Sequence, residues 1–297
     1  MDAPGLHRAR IEKLEHMLDL VVAELEGASR RVYEACRTGV LERELLAEYS
    51  RLLKAGEWAF SEDGRRYFVL EGGRLLAELL ELEAGMRVLD VGSGDGWFSI
   101  QAGLEYPEVE FYGVELSEEF AEAREYARVF NLNNVGFYYF DAYDTPFPDE
   151  FFDRVALFFS LANIAFSREE VSRLLRECRR VLKAGGLLGI AEPFIEDFPE
   201  DVAKLLLELY KYGSGRSETL LSLQDVVECL EDLGFSLRVA KVRLKVSGAP
   251  LREAEEYLNR YYGVRVPPNI LERLNLDRVW VRDDPPQYTV IVAKRLN

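Results

Sequence analysis

The stretch Val-Leu-Asp-Val-Gly-Ser-Gly-Asp-Gly-Trp-Phe-Ser, from Val88 to Ser99, decides the fold. A short apolar run ends in three glycines spaced two residues apart, and an aromatic pair then begins a new series. This order predicts a buried strand, a tight loop and the start of a helix. Glycines just beyond a parallel strand let backbone N–H groups approach a ligand closely. The stretch therefore predicts a ligand site at the carboxyl end of a parallel sheet.

The glycine loop differs from two common nucleotide-binding motifs. A dinucleotide fingerprint that starts at Gly92 requires its third glycine at position 97, where this chain has Trp97. A P-loop closes with Gly-Lys-Ser or Gly-Lys-Thr, and no such triplet follows the glycines. The sequence therefore disfavours a nicotinamide enzyme and excludes a P-loop nucleotide triphosphatase.

Strands alternate with helices from about residue 82, which is typical of a parallel α/β sheet. Ser167 and Glu170 form a capping-box pattern at the start of one of these helices. Seven strands are predicted: Arg87 to Val91, Val109 to Val114, Asn134 to Phe140, Arg154 to Phe159, Gly186 to Glu192, Phe235 to Val246 and Gln287 to Ala293. A helix at Ser222 to Leu233 precedes the last two. We therefore expect an α/β fold with a Rossmann-like, seven-stranded sheet.

Residues 1–80 have a different pattern. Apolar residues at helical spacing predict two amphipathic helices, and Asp63-Gly64 between two β-prone runs predicts a hairpin. Helices followed by a hairpin resemble a winged-helix unit, but acidic residues on its second helix have the wrong sign for DNA. We expect an N-terminal helical cap that acts as a lid or as a homodimerisation module. Residues 81–297 form the second domain, with an inserted segment at 247–286.

Composition limits the partners and the location. Asp and Glu number 53 against 37 Lys and Arg, so the formal charge of −16 disfavours nucleic acid as a partner. No run reaches about 18 apolar residues, and no signal peptide is recognisable, so we expect neither membrane insertion nor secretion. Three scattered cysteines indicate a reducing compartment, which favours the cytoplasm, and they predict no metal site. Many glutamates and few glutamines indicate a thermophilic source.

Several motifs together resemble the class I S-adenosylmethionine-dependent methyltransferases. Leu89 to Gly96 is similar to the first motif of that family, and Tyr112 to Ser117 to its second. Phe140 to Ala142 resembles the segment that contacts adenine. Pro146 to Asp153 and Arg179 to Gly186 resemble the approaches to the fourth and fifth strands. The resemblance covers residues 85–192 and implies S-adenosylmethionine as the cofactor.

The resemblance also implies a role for individual residues. Glu115, at the tip of the second strand, would accept hydrogen bonds from the ribose hydroxyls, and Asp141 and Ala142 would meet the adenine edge. Trp97 is open to a second interpretation, as a core aromatic of the first helix. The full set of expected cofactor-binding residues is Asp90, Gly92, Ser93, Gly94, Gly96, Trp97, Glu115, Leu116, Asp141, Ala142 and Ser160.

The chemistry implied is in-line displacement at a sulfonium methyl, for which the protein mainly supplies position. The only histidines, His7 and His16, lie outside the α/β domain, so a general base there must be another residue type. Glu192, at the end of the fifth strand, is the expected catalytic carboxylate.

The leading hypothesis is methyl transfer to a small-molecule acceptor. A protein or RNA methyltransferase is the alternative enzyme, and it would need an open basic groove. A non-catalytic S-adenosylmethionine-binding regulator is the alternative from another class. An aminopropyl transferase would need an acidic polyamine site, and none is recognisable in the sequence.

Overall fold

The computed structural model describes residues 73–117, 119–198, 221–243 and 287–296, together with single residues at 31, 200, 203, 204 and 207. Most of the N-terminal region 1–80 and the whole predicted insertion at 247–286 lie outside these residues. The lid, winged-helix and dimerisation hypotheses, and the division of the chain at residue 80, therefore stay predictions.

The strands are numbered in chain order. They are β1 Arg87–Val91, β2 Glu110–Val114, β3 Val135–Tyr138, β4 Phe152–Phe158, β5 Leu182–Glu192, β6 Phe235–Arg243 and β7 Gln287–Arg295. The helices used below are α1 (residues 73–79), α2 Trp97–Glu105, α3 Glu119–Val129, α4 Leu161–Ile164, α5 Arg168–Val181 and α6 Leu223–Asp232. A short 3₁₀ helix spans Ile195–Asp197.

All seven strands form one sheet in the order β3-β2-β1-β4-β5-β7-β6. The pairs from β3 to β5 are parallel, and β7 is antiparallel to both β5 and β6. The predicted seven-stranded α/β sheet is confirmed. Because the strand order reverses between β1 and β4, a crevice opens beyond the carboxyl ends of these two strands, where such sheets bind ligands.

Strand β1 has the predicted bounds, and others differ at their ends. β3 stops at Tyr138 rather than Phe140, because the amide of Phe140 already turns back to the carbonyl of Tyr138. β5 begins at Leu182 rather than Gly186, because Leu182 still pairs with Phe152 before the register shifts. These differences lie in turns and irregular pairings, which apolar periodicity does not report.

Helices cover both faces of the sheet. On one face, α5 and α6 pack against the apolar side chains of the central strands. On the other face lie α1 and α2, and Leu76 and Leu80 are fully buried there beside Gly189 of β5. Residues 73–80 thus pack on the sheet of the α/β domain. Among the described residues, no helix is both long enough and apolar enough to cross a membrane.

Helix α5 is fixed at its start and along one side. The hydroxyl of Ser167 accepts a hydrogen bond from the amide of Glu170, as the capping pattern predicts. The Glu170 carboxylate accepts from the amide of Phe166 at 2.8 Å, one residue earlier than in the standard box. The buried residues of α5 recur at helical spacing: Val171, Leu174, Leu175, Cys178 and Val181.

Candidate functional site

The three glycines after β1 all have left-handed backbone conformations. Their φ values are 67° at Gly92, 51° at Gly94 and 89° at Gly96. L-residues with a side chain rarely adopt such values, so the loop requires glycine at these positions. The loop closes through a hydrogen bond from the Gly96 amide to the carbonyl of Ser93 at 2.8 Å. Helix α2 starts directly after it.

The surroundings of the three glycines differ. A Cβ atom on Gly92 would stand 2.7 Å from Cδ1 of Ile164, and one on Gly96 would stand 2.6 Å from the Phe137 ring. A Cβ on Gly94 would meet only a carboxylate oxygen of Glu119, at 3.1 Å. Gly92 and Gly96 thus allow close packing against core side chains, whereas the one described neighbour of a Cβ on Gly94 is the end of a flexible glutamate side chain.

Glu115 lies against this loop, directly after β2. One carboxylate oxygen accepts a hydrogen bond from the amide of Gly94 at 3.0 Å. The other accepts from the amides of Leu116 and Ser117, each at 2.8 Å. Two carboxylate oxygens provide about four acceptor positions, so capacity for a hydroxyl donor remains. The folded chain therefore brings the expected ribose-binding carboxylate and Gly94 together.

Asp90 and Ser93 are buried polar residues beneath the loop. Asp90 is 1% exposed, and its carboxylate accepts a hydrogen bond from the hydroxyl of Ser99 at 2.7 Å. Burial raises the pKa of Asp90 to about 7, the nearby Glu115 adds to this, and the Ser99 bond opposes it. The Ser93 hydroxyl is buried and has no hydrogen-bond partner in the described part of the chain.

Trp97 lies at the rim of the loop. Its indole N–H donates to the carboxylate of Asp95 at 2.7 Å, and its partly buried ring packs against apolar side chains around α2. Phe98 is a buried core residue. The structure therefore gives Trp97 packing contacts within α2, in line with the second interpretation, while its role toward the cofactor stays a prediction.

The loop after β3 places Asp141 and Ala142 at the same edge of the sheet. The exposed Asp141 carboxylate accepts from the amide of Tyr143 at 2.9 Å, and its carbonyl accepts from the amide of Asp144 at 3.2 Å. Leu116, which is 48% exposed, presents an apolar side chain next to Glu115. The apolar side chain of Leu116 and the polar groups around Asp141 together suit a planar heteroaromatic ring.

Buried side chains organise the ends of β4 and β5. The hydroxyl of Ser160 donates to the carbonyl of Val91 at 2.6 Å, which ties the end of β4 to the end of β1. Glu192 is 4% exposed, and its Oε2 accepts from the amide of Leu161 at 3.0 Å and, more weakly, from that of Ala162 at 3.5 Å. No described residue donates to its Oε1.

The pKa of Glu192 is raised to about 8 because burial outweighs the two backbone hydrogen bonds. A carboxyl group with this pKa exchanges a proton near neutral pH.

Phe159 was not identified from the sequence. It follows β4 with a φ of 51°, an uncommon conformation for a bulky residue, and its amide donates to the carbonyl of Ala191 at 2.8 Å. Its ring meets Phe158 and Tyr288 at centroid distances of 4.5 and 5.3 Å. Strained backbone of this kind occurs at functional sites. No sequence pattern reports a left-handed phenylalanine, so only the structure could show it.

A family model described as a methyltransferase domain matches residues 88–186. The match covers the glycine loop, the end of β2 and the loops after β3 and β4. With the strand order, it defines the class: this chain carries a class I S-adenosylmethionine-dependent methyltransferase domain. The resemblance found in the sequence is thereby confirmed.

The chain is similar to proteins described as demethylmenaquinone methyltransferases. It is 34% identical to the demethylmenaquinone methyltransferase of Listeria welshimeri over 124 residues, which are 41% of this chain and 51% of that protein. It is 28% identical to the demethylmenaquinone methyltransferase of Thermotoga maritima over 180 residues, 54% of this chain and 75% of that protein. The chain thus spans about half the length of the Listeria relative.

Solved structures show the same fold. YcgJ from Bacillus subtilis has a TM-score of 0.57 at 20% identity, covering 77% of this chain and 99% of that one. Geranyl diphosphate C-methyltransferase from Streptomyces coelicolor, in complex with S-adenosyl-L-homocysteine, has a TM-score of 0.53 at 18% identity, covering 75% of each chain. At these identities the likeness establishes the fold alone.

S-adenosylmethionine is the cofactor of this class, and the residues present fit it. No core side chain or backbone atom among the described residues lies within 4 Å of a Cβ on Gly94, Glu115 keeps acceptor capacity, and Ser93 has a buried hydroxyl without a described partner. Within the described ranges, no group of three or more His, Cys, Asp or Glu side chains is arranged to hold a metal ion.

Proposed function

We propose that this protein methylates a small-molecule acceptor, and that the acceptor is a quinone-type ring in its reduced, hydroxylated form. The observation that carries the proposal is the contact between the Glu115 carboxylate after β2 and the Gly94 amide in the loop after β1, the strand at which the order reverses. The name of the Listeria and Thermotoga relatives supports the acceptor class.

Three parts of the carboxyl edge bind the cofactor in this proposal. Glu115 accepts hydrogen bonds from the ribose, Asp141 and Ala142 border the adenine, and the loop around Gly94 lies against the cofactor. The remaining members of the proposed set support or line the same loops: Asp90, Gly92, Ser93, Gly96, Trp97, Leu116 and Ser160. The bound cofactor supplies an activated methyl group on a sulfonium.

Holding the acceptor in line with that methyl group is the main contribution of the protein. Positioning of this kind accounts for roughly 7–11 kcal/mol of a reaction barrier when the reacting atoms are well aligned. Ser160 links the end of β4 to Val91, so the loop that borders the acceptor and the glycine loop share one rigid connection.

Glu192 acts as the general base. Its Oε2 accepts hydrogen bonds from the amides of Leu161 and Ala162, which leaves Oε1 to take the proton from a hydroxyl group of the methyl acceptor. A pKa of about 8 lets the carboxylate form exist near neutral pH while keeping it basic enough to take a proton. The base acts only when ionised, so the rate should rise as the pH passes through about 8.

The remaining predictions from the sequence have no further support. Cytoplasmic location, a thermophilic source and homodimerisation through residues 1–80 are therefore kept as proposals. The formal charge of −16 argues against nucleic acid as the acceptor.

The test supplies methyl-labelled S-adenosylmethionine and a naphthoquinol that lacks the ring methyl group, and follows label into the quinol by mass spectrometry. Labelled quinol with the wild type and a strong loss with Glu115→Ala are expected. Label in the protein or RNA of a cell extract, with none in the quinol, would support the alternative acceptors instead. Cofactor binding without label in any fraction would support a regulator.

A further inference from the structure

A partly buried network joins the loop after β3 to helix α5. One carboxylate oxygen of Glu177 accepts from the amide of Thr145 at 2.9 Å, from the Thr145 hydroxyl at 2.7 Å and from Arg180 at 2.7 Å. The other accepts from Nε of Arg180 at 2.8 Å. Thr145 is 4% exposed. We call Arg180, Glu177 and Thr145 the Arg180 clasp.

Arg180 also binds the chain beyond Thr145. Its guanidinium donates to the carbonyls of Thr145 at 3.0 Å and Phe147 at 2.8 Å, and to the carboxylate of Asp149 at 2.7 Å. The planar guanidinium fork meets all these acceptors at once, which a lysine ammonium cannot do with the same geometry. Residues 145–149 are therefore fixed to helix α5, which packs against the sheet through its buried apolar residues.

The charges in the clasp are stable at neutral pH. Burial alone would raise the pKa of Glu177, but the hydrogen bonds from Arg180 and Thr145 outweigh it and hold the pKa below its ordinary value. The Glu177 carboxylate in turn raises the pKa of the Arg180 guanidinium. Both partners therefore stay ionised at neutral pH, where cofactor binding is measured.

The clasp ends a few residues from the proposed adenine contacts. Only positions 143 and 144 separate Ala142 from Thr145, a span of at most about 11 Å. The turn between them is closed by the two hydrogen bonds that Asp141 accepts, at 2.9 and 3.2 Å. The hydroxyl of Tyr143 donates to the carbonyl of Ile164 at 2.9 Å, which joins this turn to the loop after β4.

We propose that the Arg180 clasp positions Asp141 and Ala142 against the adenine edge, and thereby sets the preference for a 6-amino over a 6-oxo purine in the cofactor. The inference rests on the proposed function, which places adenine at Asp141. A carboxylate at that edge accepts a hydrogen bond from an amino group, whereas a 6-oxo group offers no donor. Arg180 and Glu177 touch no part of the cofactor and act only through the loop.

The experiment measures the affinities of S-adenosylhomocysteine and S-inosylhomocysteine by calorimetry. The wild type should prefer the adenine form by about tenfold or more, the size of one charged hydrogen bond. Arg180→Ala should reduce this preference to about threefold or less, mainly by weakening the adenine form. Arg176→Ala is the matched control, because Arg176 lies on the same helix and, among the described residues, donates to the hydroxyl of Ser172 and not to residues 145–149.

Two milder variants keep the test decisive if Arg180→Ala does not fold. Thr145→Val removes one hydroxyl from the clasp at constant size, and Arg180→Lys keeps the charge without the fork; both should lower the preference. Loss of the 2′-hydroxyl from the cofactor should cost each variant as much as the wild type. An unchanged purine preference in folded clasp variants overturns this inference alone, whereas absence of wild-type S-adenosylhomocysteine binding overturns the proposed function with it.

Discussion

The two halves of the carboxyl edge of the sheet are built in different ways. On the β1–β2 side, backbone groups form the edge: the loop has left-handed glycines, and Glu115 collects three amide donors. On the β4–β5 side, buried side chains hold the loop, with Ser160 bound to Val91 and Glu192 bound to the start of α4.

The difference shows what each half requires from the sequence. A loop that offers its backbone to a ligand needs glycine at left-handed positions, and this requirement is visible as a motif. A loop held by buried side chains needs one acceptor in one place, which any of several residue types at several positions can supply. The first half should therefore be sensitive to added side-chain volume, and the second to the loss of one polar group.

The largest effect is expected on the β4–β5 side, from Glu192→Gln. Loss of a general base lowers kcat by about 10²–10⁴-fold. The wild-type rate should rise as the pH passes through about 8, where Glu192 ionises, and the variant should lose this dependence. Stopped assays with the naphthoquinol between pH 6 and 10 measure both.

Cofactor affinity is the control for this variant, because glutamine can still accept hydrogen bonds from the amides of Leu161 and Ala162. Unchanged binding of S-adenosylhomocysteine is expected. A kcat close to that of the wild type, with the same rise near pH 8, would contradict the assignment of Glu192 as the base.

On the β1–β2 side, Gly96→Ala and Gly94→Ala form a matched pair. Both place a side chain at positive φ, which costs about 1–2 kcal/mol. Gly96→Ala also forces a Cβ to within 2.6 Å of the Phe137 ring, and such overpacking adds about 1–3 kcal/mol. Urea unfolding should show the larger loss at Gly96, whereas cofactor binding should suffer most in folded Gly94→Ala. Equal destabilisation of the two variants would contradict this division.

The difference between the two halves also explains which parts of the fold and of the site could be predicted from the sequence. The alternating pattern predicted all seven strands, and the bounds of β1 were correct because Arg87 to Val91 is a plain buried run. The sequence placed Glu115 at the end of the second strand and Glu192 at the end of the fifth, and the structure has both there.

Contacts between distant loops could not be predicted in the same way. The left-handed Phe159 and the Arg180 clasp depend on which loops the fold brings together, and neither leaves a periodic or local pattern. The bond from Ser160 to Val91 joins residues 69 positions apart. Such pairings are fixed by the sheet order, so they become visible only when the tertiary structure is known.

Asp90, which lies beneath the glycine loop, can be tested through the stability of the protein instead of cofactor binding. Its pKa rises from 3.8 in the unfolded chain to about 7 in the folded protein, so folding favours the protonated form. The free energy of unfolding should therefore fall as the pH rises from about 4 to 7. A difference of about three pH units corresponds to roughly 4 kcal/mol at most, and we expect about 2–4 kcal/mol.

Asp90→Asn removes this titration. Urea unfolding of the ligand-free proteins at pH 4 and pH 8 should show the variant gaining stability relative to the wild type at the higher pH. The amide can still accept the hydrogen bond from Ser99, which limits the loss of packing. A relative stability that does not change between these two pH values would show that folding does not shift the pKa of Asp90.

The smallest expected effect concerns Glu115 and separates a ribose contact from a general charge effect. Glu115→Ala removes acceptors for charged hydrogen bonds worth about 1.5–3 kcal/mol each, so S-adenosylmethionine should bind at least about tenfold more weakly. Glu122→Ala, in the first turn of α3, removes the same charge at an exposed position and should have little effect.

A ribose contact predicts that the 2′-deoxy cofactor loses little further affinity in Glu115→Ala, at any salt concentration. A loss shared by both variants and growing at low salt would instead indicate long-range attraction of the cationic cofactor, and the ribose assignment of Glu115 would then be wrong.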